Sequence, residues 1–176
     1  EAPGARYWKR RLPHYEKPWG TYSITFGTKG RKVLNESSRT VTLDALKHFD
    51  STRYHLYSAC VMPDHVHCII QPIPKDFDSK GDPVFWSLSD IMHSLKSFTA
   101  KEINKLSGED GAVWEKEYHD HLIKDDRELG TQQDYILSNP WRVKLVGDSD
   151  EYDWLYSSET GTRQDAEPGD QDGRAP

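Results

Sequence analysis

Two runs that read as β-strands, RYHLYSACVM (residues 53–62) and HVHCIIQP (residues 65–72), are separated only by Pro63 and Asp64. A connection this short joins antiparallel neighbours, because a parallel pair needs a crossover of about a dozen residues or more. The chain is therefore expected to contain a central antiparallel hairpin, and a doubly wound parallel sheet is disfavoured. The second run carries an imidazole pair, His65 and His67, in an otherwise apolar strand. Residues two apart share a face, so the two imidazoles project together while Val66 and Cys68 point to the core.

The other elements fall around this hairpin. TYSITF alternates apolar and hydroxyl side chains, the period of a half-buried strand. A helix follows from about Ser37 to Phe49, with Ser37 or Ser38 near its start. After a polar loop, PKDFDSKGDP, apolar residues at 88, 91, 92, 95, 98, 103 and 106 predict a second helix, capped by Ser87 or Ser89. AVWEKEYHDHLI reads as a further strand region. DDRELGTQQDYILSNP reads as a third helix, opened by acidic residues and ended at Asn139 and Pro140. WRVKLV is expected to pack back on the body. The order β-α-β-β-α-β, with a helix appended, is that of an α+β, ferredoxin-like split βαβ sandwich built on an antiparallel sheet.

The chain has 176 residues, and its net charge of −6 is unevenly placed. Residues 147–176 hold nine acidic and two basic residues, whereas residues 1–32 hold eight basic and two acidic ones. The chain divides into a basic, aromatic arm over residues 1–20, a folded body over 21–157 and an acidic tail of disordered composition over 158–176. In the arm, Arg6, Trp8, Lys9, Arg10 and Arg11 combine the charges that grip phosphates with a ring that stacks on bases. Lys96 and Lys101 on the second helix are further candidates for phosphate contact. Tyr22 is expected in the core. No apolar segment approaches the roughly 20 residues of a membrane span, and EAPGARYWKRR lacks the apolar centre of a signal peptide. A cytoplasmic protein with no membrane partner is expected. The two cysteines, Cys60 and Cys68, lack a disulfide or CxxC pattern and are read as reduced.

An HxH pair alone is weak evidence for a metal. A second pair, His119 and His121, stands in YHDHLI, and either pair or both together could serve an ion. Two imidazoles leave coordination positions open, as a catalytic ion requires. On the third helix, Tyr135 and Asn139 are four residues apart and face the same way. Their plain alternatives are a residue packing on the sheet and a helix-terminal residue ahead of Pro140.

The succession MPDHVHCII, LKSFTAKEIN, VWEKEYHDHLI and DYILSNPWRVKLV, behind an RRLPH arm and the strand TYSITF, resembles the ordered motifs of the single-tyrosine HUH transposases. The resemblance is strongest to the REP-associated tyrosine transposase branch, and it runs from about residue 10 to 157. It implies that His65 and His67 bind a divalent metal, that Tyr135 is the nucleophile and that Asn139 completes the metal site. The implied ion is Mg²⁺ or Mn²⁺. The implied substrate is single-stranded DNA with a hairpin, cut through a 5′-phosphotyrosine intermediate. His119 and His121 are candidates for supporting the site from behind its ligands or for a structural part. Trp141 and the ending DWLYSSE depart from the family pattern. Competing readings are a zinc-dependent hydrolase using both HxH pairs, and a domain that binds DNA hairpins without cutting them. A monomer and a homodimer both remain open, the latter able to exchange its tyrosine helix.

Overall fold

The computed structural model describes residues 16–158. Arg6, Trp8, Lys9, Arg10 and Arg11, and the acidic tail beyond Ser158, lie outside the described residues.

The chain runs β1 (Tyr22–Gly27), a 3-10 turn (Lys29–Arg31), α1 (Glu36–His48), β2 (Tyr54–Val61), β3 (His65–Pro72), β4 (Pro74–Phe77), β5 (Pro83–Phe85), α2 (Leu88–Ser107), β6 (His119–Leu122), α3 (Asp126–Arg142) and β7 (Leu155–Ser157). The main sheet has the order β6-β1-β3-β2-β7, and every pairing in it is antiparallel. β1 and β2 both run against β3, so they are parallel to each other with β3 between them, the split βαβ arrangement expected from the Pro63–Asp64 connection. β7 adds a strand on the outer edge of β2.

Strand alternation gives the sheet two apolar faces. On one, Ile24, Phe26, Val66, Cys68 and Ile70 meet Leu43 and Leu46 of α1 and Ile91, Met92 and Leu95 of α2 in the larger core. Tyr22 is buried there, as expected. On the other face a smaller cluster joins Cys60, Met62 and Ile69 to Leu129 and Ile136 of α3, with Ile123 and Tyr152. Burial of these side chains is the main drive for both layers. The imidazoles of β3 belong to the second face, beside α3.

Several local expectations change. α1 is capped by Asn35, not by a serine: the Asn35 side chain accepts the Ser38 N–H at 2.8 Å. An Asn at this position competes as well as Ser for the free amides of the first turn. Ser87 does cap α2, accepting the Asp90 N–H at 3.0 Å. PKDFDSKGDP is not a plain loop; it forms most of the hairpin β4–β5, turned by Asp78, whose carboxylate accepts the N–H groups of Lys80 and Asp82. The strand within AVWEKEYHDHLI is confined to β6. α3 does not stop at Pro140 but continues to Arg142 with the proline inside. The ring lies in the last turn, with only two helical residues after it, and both Asn139 and Pro140 are buried against the body. Trp141 and Val146 then pack on the smaller cluster, as expected for WRVKLV.

Candidate active site

Register, rather than sequence proximity, assembles the site. In the ladder β6-β1-β3, Thr25 is directly opposite both His67 and His119, Gly27 is opposite His65, and Ser23 is opposite His121. Residues directly opposite share a face, so all four histidines of the two HxH pairs lie on the α3 side of the sheet. The glycine opposite His65 leaves that imidazole without a cross-strand side chain to crowd it.

The two imidazoles of β3 are held by different neighbours. His65 Nδ1 lies 2.6 Å from Asp64 Oδ1, and an ionised carboxylate only accepts, so Nδ1 carries the proton and Nε2 keeps its lone pair. His67 Nδ1 lies 2.9 Å from Thr25 Oγ1. A tautomer that donates from Nδ1 to that hydroxyl keeps the lone pair on Nε2. The rings are perpendicular, with centroids 4.8 Å apart. Burial, reinforced by the nearby His65, pushes the His67 imidazole down to a pKa of about 4. It is therefore neutral at physiological pH, the form that ligates metal. Burial opposes ionisation of Asp64, but hydrogen bonds and charge from His65 and Arg31 outweigh it and hold the carboxyl below the usual carboxylate range.

α3 brings the other two groups. The Tyr135 ring stands edge-on to His67, with centroids 6.0 Å apart, and is 44% exposed. One turn on, Asn139 is 4% exposed. Its carboxamide makes no hydrogen bond with another described side chain or backbone group and borders the cavity, where a ligand can reach it. The Arg142 guanidinium lies 4.5 Å from the centre of the Tyr135 ring. These residues border one open cavity of about 930 Å³, lined by His65, His67, His119, Tyr135 and Asn139 together with Asp64 and Arg31. Two imidazoles and an unpartnered carboxamide form a donor set that fits a divalent ion with open positions for substrate and water.

Other candidates are placed differently. His119 borders the cavity but is exposed. His121 turns to α3, with its Nε2 2.7 Å from Glu128 Oε1. Glu128 also accepts the Lys124 N–H at 2.7 Å, so this pair ties β6 to the start of α3. Among the described residues no group of three or more His, Cys, Asp or Glu side chains is arranged to hold an ion, which leaves the four-histidine zinc reading without its centre. α2 covers the other face of the sheet, so Lys101 stands away from the cavity. Lys96 is not a free cation: its Nζ donates to the carbonyls of Glu115 and Lys116 at 2.6 and 3.0 Å. Burial lowers its pKa against the opposing pull of Glu117 and Glu115. Asp64, Thr25 and Arg142 were not among the sequence candidates. Only Asp64, adjoining the HxH pair, carried a signal that could have found it.

The fold and site define a transposase: the chain belongs to the IS200-like transposase family, whose model matches residues 19–139 and so spans His65, His67, Tyr135 and Asn139. A protein of Haemophilus influenzae provisionally named a REP-associated tyrosine transposase is 25% identical over 138 residues, covering 72% of this chain and 75% of that one. Among solved structures, a REP-associated tyrosine transposase bound to a REP hairpin shares the fold at a TM-score of 0.54 and 20% identity, covering 81% of this chain and 76% of the other. A protein of Deinococcus radiodurans provisionally named a transposase aligns at a TM-score of 0.44 and 17% identity, over 76% of this chain and 94% of its own.

Proposed function

We propose that the protein is a metal-dependent single-stranded DNA endonuclease and strand transferase, which cuts beside a hairpin through a 5′-phosphotyrosine intermediate. The observation that carries this reading is the placement of Tyr135 against His67 in the cavity shared with His65 and Asn139, in a chain of the transposase family. The hairpin is supported by the REP-hairpin complex of the structural relative.

His65, His67 and Asn139 would hold Mg²⁺ or Mn²⁺. When bound, such an ion polarises the scissile phosphate and offsets charge developing on its oxygens. Imidazole donors suit Mn²⁺ better than Mg²⁺, which favours oxygen. Tyr135 Oη attacks phosphorus in line, forming the O–P bond as the P–O3′ bond breaks. The phenolic proton passes to solvent, and the departing 3′-oxygen takes one from water to become a hydroxyl. Arg142 lies over the ring, where its charge helps orient Tyr135. The reverse step, attack of a 3′-hydroxyl on the phosphotyrosine, rejoins DNA without a nucleotide cofactor because the phosphodiester energy is kept in the adduct.

The test is cleavage of a hairpin-bearing single strand with Mn²⁺ or with EDTA. Cleavage is expected with the metal, absent in EDTA, and reduced at least about a hundredfold in His65→Ala and His67→Ala that retain the wild-type circular dichroism. Undiminished cleavage in either variant, or in EDTA, removes the metal assignment. Hairpin binding with no cleavage by the wild type under any divalent ion points instead to a recognition domain without catalysis.

A further inference from the structure

We propose that Arg31 is a DNA-contacting residue of this site, its guanidinium gripping a backbone phosphate of the strand beside the one that is cut. The proposal rests on the nuclease reading above and deepens it.

Arg31 lines the cavity wall, and its side chain is 85% exposed. The only hydrogen bond of its side chain among the described residues runs from Nε to Asp64 Oδ2 at 3.2 Å. Nε is one of five guanidinium donors, so the four N–H groups on the two η nitrogens are left to reach outward. The other oxygen of the same carboxylate holds His65. One aspartate therefore sets both an imidazole proposed to bind metal and a cation proposed to bind phosphate, and the spacing between them is fixed by a single side chain.

The backbone supports a designed placement over an incidental surface pair. Arg31 has φ of 56°, beside Gly30 at 62°. Glycine adopts this left-handed region freely, whereas a residue with a Cβ does so at a cost. A relaxed loop would have no reason to keep an arginine there for an exposed ion pair, which contributes little. The turn is held from several sides. Thr28 N–H and its hydroxyl both donate to the Asp64 carbonyl, at 2.9 and 3.1 Å. The Gly30 N–H donates to Glu115 Oε1 at 2.9 Å, and Leu34 N–H to the Pro63 carbonyl at 2.7 Å. The turn, fastened from several sides next to the site, holds the Arg31 side chain at the cavity wall. A guanidinium with free paired donors at the mouth of a phosphodiester-cutting cavity matches a phosphate in charge and in shape.

The test uses a hairpin-bearing single strand and the Arg31→Gly and Arg31→Gln variants. Binding is measured at several salt concentrations in the Tyr135→Phe background, where DNA stays uncut. Arg31→Gly, which relieves the left-handed strain, is expected to keep or raise Tm while cleavage slows by about tenfold or more. In both variants the slope of log K against log salt is expected to become shallower by about one phosphate contact. Wild-type cleavage and an unchanged slope in Arg31→Gly overturn the proposal. If that variant loses Tm, the slope of Arg31→Gln decides. A wild type that cuts no DNA would defeat the nuclease reading, while the salt slopes still judge Arg31.

Discussion

The His67 imidazole titrates near pH 4 in the folded protein, against about 6.5 in an unfolded chain. Between these values the unfolded state binds more protons than the folded one, so stability falls as pH drops through that window. In metal-free protein the urea midpoint should therefore decline between pH 7 and 4, and decline less steeply in His67→Gln. Parallel profiles for the two proteins would show that His67 is not the buried neutral base described. At this scale the sequence was legible where spacing alone dictates direction: two residues on a strand for His65 and His67, four on a helix for Tyr135 and Asn139. Thr25 and Arg142 were not legible, because strand register and the fold of a side chain across its own helix decide what they touch. The two lysine candidates on α2 fall outside the cavity lining for the related reason that a helix pattern does not say which sheet face the helix will cover.

α3 carries both Tyr135 and Asn139, so its seating fixes the site. Asp125 caps it by accepting the Glu128 N–H at 2.8 Å, and Glu128 in turn joins His121 on β6. Asp125→Ala should lower stability by about 1 kcal/mol in urea unfolding; an unchanged midpoint would mean that the cap contributes nothing. His121 shows how a motif can mislead: its pairing with His119 at metal-ligand spacing is real, yet its partner is a carboxylate seven residues on, and the contact is structural. The end of α3 was misjudged because the steric bias before a proline is a tendency that packing can override, and here Pro140 is buried by tertiary packing. The β4–β5 hairpin was hidden by its charged, glycine-containing composition, which the Asp78 turn makes compatible with pairing.

Across the whole molecule, the sheet separates stability from chemistry. The larger core lies under α1 and α2, and the proposed cleavage site lies on the other face under α3. Leu95 is 1% exposed in that larger core. Leu95→Ala should cost about 2–5 kcal/mol in denaturant unfolding while the folded fraction cleaves DNA at the wild-type rate. A matching loss of specific activity in folded protein would show that the two layers are coupled. The architecture was legible because one two-residue connection excluded parallel pairing and the order of elements then admitted few topologies; β7 escaped, being three residues long in an acidic segment. The central claim is that Tyr135 becomes covalently joined to DNA. The direct measurement incubates wild type and Tyr135→Phe with Mn²⁺ and a hairpin-bearing strand labelled at its 3′ end, then separates the products under denaturing conditions. The account predicts a labelled protein–DNA adduct from the wild type and none from Tyr135→Phe, with a free 3′-hydroxyl on the released fragment. An adduct that persists in Tyr135→Phe, or cleavage by the wild type with no adduct, would contradict it.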